Sequence, residues 1–206
     1  MPDPTELVVI HRVFRREASF LLRFVLAARP GDTRRAAQVA AAIRDYTDAL
    51  LQHCRLEDDL VRPLLHARAR LYDEQVNRMH EQHARLEKGL LTIGDLLPHW
   101  ELTATDETQD ELGEHLAEHR LLLVEHLDDE EEMILPLIAE YLTPAEFSQV
   151  ARDQATPALG ALLEEASMAE RKTLLSRLPF ADRALWWVSG RHRYARRVAE
   201  LREPRD

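Results

Sequence analysis

A thirteen-residue pattern occurs twice in this chain, at His53–Leu65 (HCRLEDDLVRPLL) and at His126–Ile138 (HLDDEEEMILPLI). Both copies begin with His and have a Glu four residues later, a Pro ten residues later and a Leu eleven residues later. Residues four apart lie on one face of an α-helix, so each copy directs one imidazole and one carboxylate the same way. Such a pair is typical of half of a metal site, and the chain contains it twice.

Apolar residues recur every three to four positions along most of the first 142 residues, which predicts long amphipathic helices. The first helix is predicted to begin at the capping sequence Asp3-Pro4-Thr5-Glu6 and to run to about Ala28. The second spans about 33 to 68, the third runs from 72 to 97 and stops at Pro98, and the fourth follows a loop at 99–108 and ends near 142. Four such segments predict an all-α, up-down-up-down four-helix bundle.

Residues 143–206 are predicted to form a C-terminal helical appendage packed on the bundle of residues 1–142. A capping box, Thr143-Pro144-Ala145-Glu146, opens this segment. Four residues are expected to break it into shorter helices: Pro157, Gly160, Pro179 and Gly190. Leu185, Trp186 and Trp187 are expected to pack the appendage onto the bundle, with a surface for a protein partner as the alternative.

The composition argues against several classes of partner. The net charge of −10 disfavours general binding to nucleic acid or to anionic lipid, and no apolar run is long enough for a membrane span. The N-terminus, MPDPTELVV, lacks the pattern of a signal peptide, and the single cysteine, Cys54, is compatible with a reducing compartment. We therefore expect a cytoplasmic protein, and the excess of arginine over lysine favours a GC-rich bacterial source.

Two further histidines complete a repeated arrangement. His11 precedes His53 by 42 residues, and His83 precedes His126 by 43 residues. Each half of the bundle therefore has a helix with one inward His, followed by a helix with His-x-x-x-Glu. Packing the halves face to face would bring these groups to the bundle axis, where buried polar groups need partners or a metal ion. The candidate ligands are His11, His53, Glu57, His83, His126 and Glu130.

Over about residues 5–142, this order of His, HxxxE, His and HxxxE resembles the hemerythrin-like, or HHE cation-binding, domains. The resemblance implies a non-haem di-iron centre in which Glu57 and Glu130 bridge two iron ions and each ion binds two histidines. Imidazole and carboxylate ligands also suit manganese or zinc, which are the second choices, but not magnesium or calcium. The Glu-x-x-His pairs of ferritin-like di-iron proteins do not occur in the chain.

The third helix departs from the oxygen-carrying members of that family, which have a fifth histidine in a His-x-x-x-His pair. Here His83 is preceded by His80 at a spacing of three. Four histidines and two glutamates would leave open positions on both ions. The resemblance then implies reaction with oxygen, peroxide or nitric oxide, or sensing of them, rather than oxygen storage.

Three further residues could join the site: His80, His119 and Glu131. His119 lies seven residues before His126, about 10.5 Å along the same helical face, where it could act as an acid or base or fill the core. Glu131, five residues after His126, is a reserve ligand. Cys54 is rotated about 100° around the helix from His53 and is not counted among the ligands.

Three functions are compatible with these observations. The favoured one is a di-iron protein with an oxidoreductase-type or stress-response role, which could include peroxide disproportionation or oxygen activation. The second is an iron-sensing or oxygen-sensing module that signals through its C-terminal helices without turnover. The third is a helical scaffold that binds no metal.

Overall fold

The computed structural model describes residues 5–153 and 159–202, and within these ranges every regular element is helical and none is a β-strand. The predicted all-α fold is thus confirmed. Asp3, Pro4 and Pro157, on which predicted helix boundaries depended, lie outside the described residues. None of the described helices is both long enough and apolar enough to cross a membrane. The first six helices are α1 (Thr5–Leu26), α2 (Thr33–Leu56), α3 (Arg62–Arg68), α4 (Asp73–Thr103), α5 (Asp106–Asp129) and α6 (Leu135–Tyr141).

These helices form a four-helix bundle, because α3 continues α2 and α6 continues α5. Helix α1 packs against α2 and α5, and α4 packs against the same two helices, so the four rods close around a common core. Burial of a large apolar side chain stabilises a fold by about 1.5–3 kcal/mol. Large core side chains that are at most 1% exposed include Phe14, Ile43, Leu90, Trp100 and Leu112.

The turn between α1 and α2 forms where the sequence predicts it. Gly31 has a φ of 78°, in the left-handed region that glycine adopts without steric cost. The Asp32 carboxylate accepts a hydrogen bond from the Arg35 backbone N–H at 2.9 Å, which caps the first turn of α2. Helix α1 therefore ends at Leu26, and its direction reverses within six residues before Thr33.

The predicted loop at 99–108 is wrong, because α4 continues through Pro98 to Thr103 and only Ala104 and Thr105 separate it from α5. A proline inside a helix removes a hydrogen bond and costs about 3 kcal/mol. The turn that follows it buries Trp100 completely, which offsets this cost. The turn closes on the Ala104 carbonyl, which accepts a hydrogen bond from the Gly31 N–H at 2.8 Å.

A single π-helical turn interrupts each rod that carries the repeated pattern, at Glu57–Val61 and at Glu130–Ile134. Both turns begin at the Glu of the pattern. Pro63 and Pro136 are each the second residue of the α-helix that follows, a position where the missing N–H is tolerated. Wider turns of this type occur often at functional sites. The prolines therefore begin new helical segments rather than ending the rods.

The C-terminal segment contains α7 (Pro144–Asp153), α8 (Leu159–Glu165), α9 (Met168–Arg177), α10 (Phe180–Leu185) and α11 (Arg191–Arg202). The capping box at its start is present, since Thr143 and Glu146 exchange side-chain to backbone hydrogen bonds. Helices α8 and α9 lie against α1. Arg12 binds Glu170 at 2.7 Å and Arg16 binds Glu165 at 3.0 Å, so two ion pairs connect the appendage to the first helix.

The tryptophan cluster differs from the expectation. Trp186 is partly buried, whereas Leu185 and Trp187 are each more than half exposed and do not attach the appendage to the bundle. Gly190 also does not break the helix, because a π-helical turn at Trp186–Gly190 leads directly into α11. A Cβ at Gly190 would lie 2.8 Å from the Trp186 ring, so the glycine is needed for this close approach.

Candidate metal centre

The structure brings all six predicted site residues together at the axis of the bundle. His11 comes from α1, His53 from the last turn of α2, and His83 and His126 from α4 and α5. Glu57 and Glu130 are the first residues of the two π-helical turns. None of the six side chains is more than 4% exposed.

The histidines form two pairs, and the glutamates lie between them. The ring centroids of His11 and His53 are 5.4 Å apart, and those of His83 and His126 are 4.7 Å apart. Glu57 approaches one histidine of each pair, with Oε1 3.2 Å from His53 Nε2 and Oε2 3.6 Å from His83 Nε2.

Glu130 makes the corresponding approach from the other side. Its Oε2 atom is 3.4 Å from His11 Nε2 and 3.6 Å from His126 Nε2. One ligand atom from each of four residues lies within 4.8 Å of the other three: His11, His53, Glu57 and Glu130. Each carboxylate thus lies near one histidine of each pair, within reach of any cation held between them.

Several atoms of this cluster have no hydrogen-bond partner among the described residues. They are the Nε2 atoms of His11, His83 and His126, and all of them are buried. A buried polar atom without a partner costs free energy, so nearly all such atoms in folded proteins are paired. Buried histidine nitrogens that lie close together without hydrogen-bond partners are typical of a metal site.

The electrostatics of the cluster also favour a bound cation. Burial, and then the neighbouring Glu130, raises the pKa of the Glu57 carboxyl well above its ordinary value. Burial also lowers the pKa of His53 and of His126 well below the ordinary range, with nearby histidines adding to the effect. Burial therefore disfavours the charged forms of Glu57, His53 and His126, and a bound cation would reverse this for the Glu57 carboxylate.

An acidic residue directly follows each glutamate and contacts the lone histidine of one half. Glu131 Oε1 lies 3.0 Å from His11 Nδ1, and Asp58 Oδ2 lies 3.3 Å from His83 Nδ1. Both acids keep a lowered pKa: burial acts to raise it, but the hydrogen bonds to histidine outweigh that effect. Carboxylates in this position fix the orientation of metal-binding imidazoles and leave Nε2 free for the ion.

Gln82 orients the His126 ring in the second half. Its amide oxygen is 3.4 Å from His126 Nδ1, and its amide nitrogen donates to Asp129 at 2.6 Å. Arg15 supports the first half by donating to Glu131 at 2.6 Å and to Asp128 at 2.7 Å. Asp128 and Asp129, which precede the pattern's Glu130, therefore belong to the supporting network.

His80 and His119, which the sequence leaves open, are outside the cluster. His80 is half-exposed and its Nδ1 is 3.0 Å from Asp58. His119 is buried, and its Nε2 is hydrogen-bonded to the Tyr46 hydroxyl at 2.8 Å. Burial lowers the pKa of His119 to about 4, so this ring is neutral. Phe14 lies between Tyr46 and His53, in edge or tilted contact with both rings.

Cys54 is closer to the cluster than its helical angle suggests. Its side chain is buried, and its sulfur lies within 4.8 Å of one ring nitrogen each from His83 and His126. Burial, and then the charge of Glu57, raises the pKa of this thiol well above its ordinary value. The rotation of 100° from His53 directs Cys54 away from His11 and toward the second histidine pair.

The supporting residues were harder to predict than the ligands. Asp58 and Glu131 hold the same position in the two copies of the pattern, which is the signal that could have identified them together. Gln82 and Cys54 have no counterpart in the other half, so the repeat offered no signal for them. Their contacts depend on how neighbouring helices pack.

One family model matches the chain. The family model described as the hemerythrin HHE cation binding domain matches residues 5–138, which is more than half of the chain and includes all six residues of the cluster. Searches of curated proteins and of solved structures returned no significant match.

The raised pKa of Glu57 predicts how the metal-free protein responds to pH. The unfolded chain loses this proton above the ordinary value of 4.5, while the folded chain retains it, so rising pH favours unfolding. Glu57→Gln removes this dependence. In urea unfolding of metal-free protein from about pH 5 to about pH 8, we expect the variant to gain stability over the wild type by at most about 1.4 kcal/mol per pH unit. Glu132→Gln, at an exposed position, is the control. A gap that does not grow with pH would contradict the prediction.

The orienting acids predict a second effect. Asp58→Asn and Glu131→Gln keep the shape of the side chain but weaken its hold on the imidazole, so each should lower metal affinity by about 10-fold to 100-fold. Cobalt(II) titration followed by visible absorption measures this. Asp59→Asn and Glu132→Gln, one residue further along each copy and exposed, are the matched controls and should bind as the wild type does. Equal losses in tested and control variants would refute an orienting role.

Proposed function

Because the chain belongs to the hemerythrin HHE cation-binding domain family, we propose that its buried cluster holds two iron ions and that the protein binds or reacts with oxygen, peroxide or nitric oxide. His11 and His53 would bind one ion, and His83 and His126 the other. Glu57 and Glu130 would lie between the ions and offset their mutual repulsion. Iron in such a site supplies redox chemistry toward small oxygen-derived or nitrogen-derived molecules.

One observation carries this proposal: each glutamate approaches a histidine of both pairs, at 3.2 and 3.6 Å for Glu57 and at 3.4 and 3.6 Å for Glu130. Two independent single-ion sites would not need carboxylates placed in this way. Cations that share such groups lie about 3.5–4 Å apart, and the shared carboxylates reduce the repulsion between them.

The number and burial of the side chains define the ligand class. Six protein groups do not fill the coordination of two iron ions, so positions remain for an exogenous ligand. The six side chains are at most 4% exposed, which favours diatomic molecules or peroxide over a bulky organic substrate as the ligand. The surrounding apolar side chains exclude bulk water, and Asp58 and Glu131 keep the imidazoles oriented. These features support an oxidoreductase-type or stress-response role.

Iron content tests the proposal directly. Protein loaded with ferrous iron under anaerobic conditions and desalted should retain about two iron ions per chain. His53→Ala and His126→Ala each remove a ligand from a different pair, and each should retain less than about one. His99→Ala, an exposed histidine on α4, should behave as the wild type. Wild-type protein that retains no iron and is unaffected by the two ligand substitutions would instead support a metal-free scaffold.

A second candidate function, a sensor that signals through residues 143–206, is supported by the connection of the appendage to α1. Arg12 follows His11 directly and binds Glu170 of α9 at 2.7 Å, and Arg16 binds Glu165 of α8 at 3.0 Å. A change in the position of His11 on metal binding would reach these two ion pairs within the same helix. The appendage also exposes apolar side chains that suit a protein partner: Phe180, Leu185, Trp187 and Val188.

Limited proteolysis distinguishes this candidate. If the appendage reports metal occupancy, iron loading should slow cleavage within residues 143–206 several-fold, and Arg12→Ala should reduce that difference. Arg34→Ala, at an exposed position on α2, should leave it unchanged. Cleavage that is independent of iron, in protein shown to contain iron, would exclude signalling by this route.

A further inference from the structure

The two halves of the cluster differ at the position after the first histidine of each pattern. In the first copy this residue is Cys54, and in the second copy it is Leu127. Both side chains are buried, at 5% and 0% exposure. The repeat is therefore closely matched in its histidines and glutamates, but only the first copy adds a sulfur atom.

That sulfur lies beside the histidine pair of the opposite half. Cys54 follows His53 on α2, yet its Sγ atom is grouped with one ring nitrogen of His83 and one of His126, all within 4.8 Å of one another. Helix α2 packs against α4, which carries His83, so the rotation of Cys54 around α2 directs it to this side. The first pair, His11 and His53, has no such neighbour among the clusters found in the described chain.

Buried nitrogens on the same two rings supply independent evidence for a ligand. The Nε2 atoms of His83 and His126 are buried and make no hydrogen bond with any described residue. The rings meet edge to face with centroids 4.7 Å apart, and one nitrogen of each ring lies within 4.8 Å of the other. A cation between them would satisfy these atoms, and the thiol is the next donor within reach.

We propose that Cys54 binds, as a thiolate, the ion held by His83 and His126, so that the two metal positions are chemically different. The inference rests on the proposed function, since it requires a metal in the cluster. On binding, the S–H bond breaks, the proton passes to solvent and a sulfur lone pair binds the ion, with no change in oxidation state. One position then has only nitrogen and oxygen ligands, while the other adds sulfur.

The distances allow this coordination. With metal–sulfur bonds of about 2.3 Å and metal–nitrogen bonds of about 2.0–2.1 Å, ligand atoms on one tetrahedral ion lie about 3.5 Å apart. The three atoms are within 4.8 Å of one another, so side-chain rotations that move each atom by about 1 Å are sufficient to bring all three to bonding distance of one ion. Thiolate is a soft ligand that favours zinc and iron over harder cations, which gives the second position a different metal preference from the first.

X-ray absorption at the zinc edge tests the proposal on the full-length chain loaded with zinc to saturation. Wild-type protein should show a sulfur shell at about 2.3 Å in addition to the nitrogen and oxygen shell. Cys54→Ser and Cys54→Ala should lose the sulfur shell. Met79→Leu, which removes the buried sulfur one turn before His83, should retain it. Cobalt(II) loading gives a second readout, a near-ultraviolet sulfur-to-cobalt band that is present in wild type and Met79→Leu and absent in both Cys54 variants.

The outcomes separate this inference from the function it rests on. Zinc-loaded wild type with about two ions per chain and only nitrogen and oxygen neighbours would overturn the role of Cys54 while leaving the two-ion site intact. Wild type that binds no zinc, cobalt or iron would overturn both. A sulfur shell that persists in a folded Cys54 variant would also overturn it. The wild-type spectrum decides the presence of sulfur by itself, so poor folding of one variant does not prevent the test.

Discussion

The burial of four imidazoles and two carboxylates at the bundle axis is the interaction on which the rest of the structure depends. Moving such groups out of water is expensive unless each finds a partner, and the Nε2 atoms of His11, His83 and His126 make no hydrogen bond with any described residue. The apolar core around the cluster supplies most of the stabilisation of the fold. The bundle therefore tolerates the polar centre, and a bound cation would offset the charge of its carboxylates.

The π-helical turns explain how one short pattern can direct a glutamate to the bundle axis and also place the next acid beside a histidine. Each turn begins at a glutamate that faces the axis, and the next residue, Asp58 or Glu131, contacts a histidine on a neighbouring helix. A wider turn changes the spacing of side chains around the rod at this point, while Pro63 or Pro136 starts a regular helix again. Because both copies contain the same turn, the two halves of the centre are built by the same local geometry.

The sequence was sufficient for the fold class and for the six residues that the structure brings together, because both follow from helical periodicity. Four-residue spacing is a local property, and duplication of the pattern distinguished Glu57 and Glu130 from the acids beside them. The extension of α4 through Pro98 was not predictable from local preference, since burial of Trp100 by other helices outweighs the cost of the proline. The π-helical turns differ from α-helix by one residue per turn, which apolar periodicity over a few residues does not resolve.

The supporting environment of the centre follows packing rather than repetition, and this makes the two halves unequal. The first half, at His11, lies on the helix that holds the C-terminal appendage through Arg12 and Arg16. The second half, at His83 and His126, is the one that Cys54 approaches. A duplicated pattern predicts equal sites, but each helix has different neighbours. Those neighbours determine the charge around each half-site, the chemical softness of its ligands and its contacts with the appendage. The chain thus joins two similar half-sites, of which one lies on the helix that is ion-paired to the appendage and the other has a cysteine sulfur beside it.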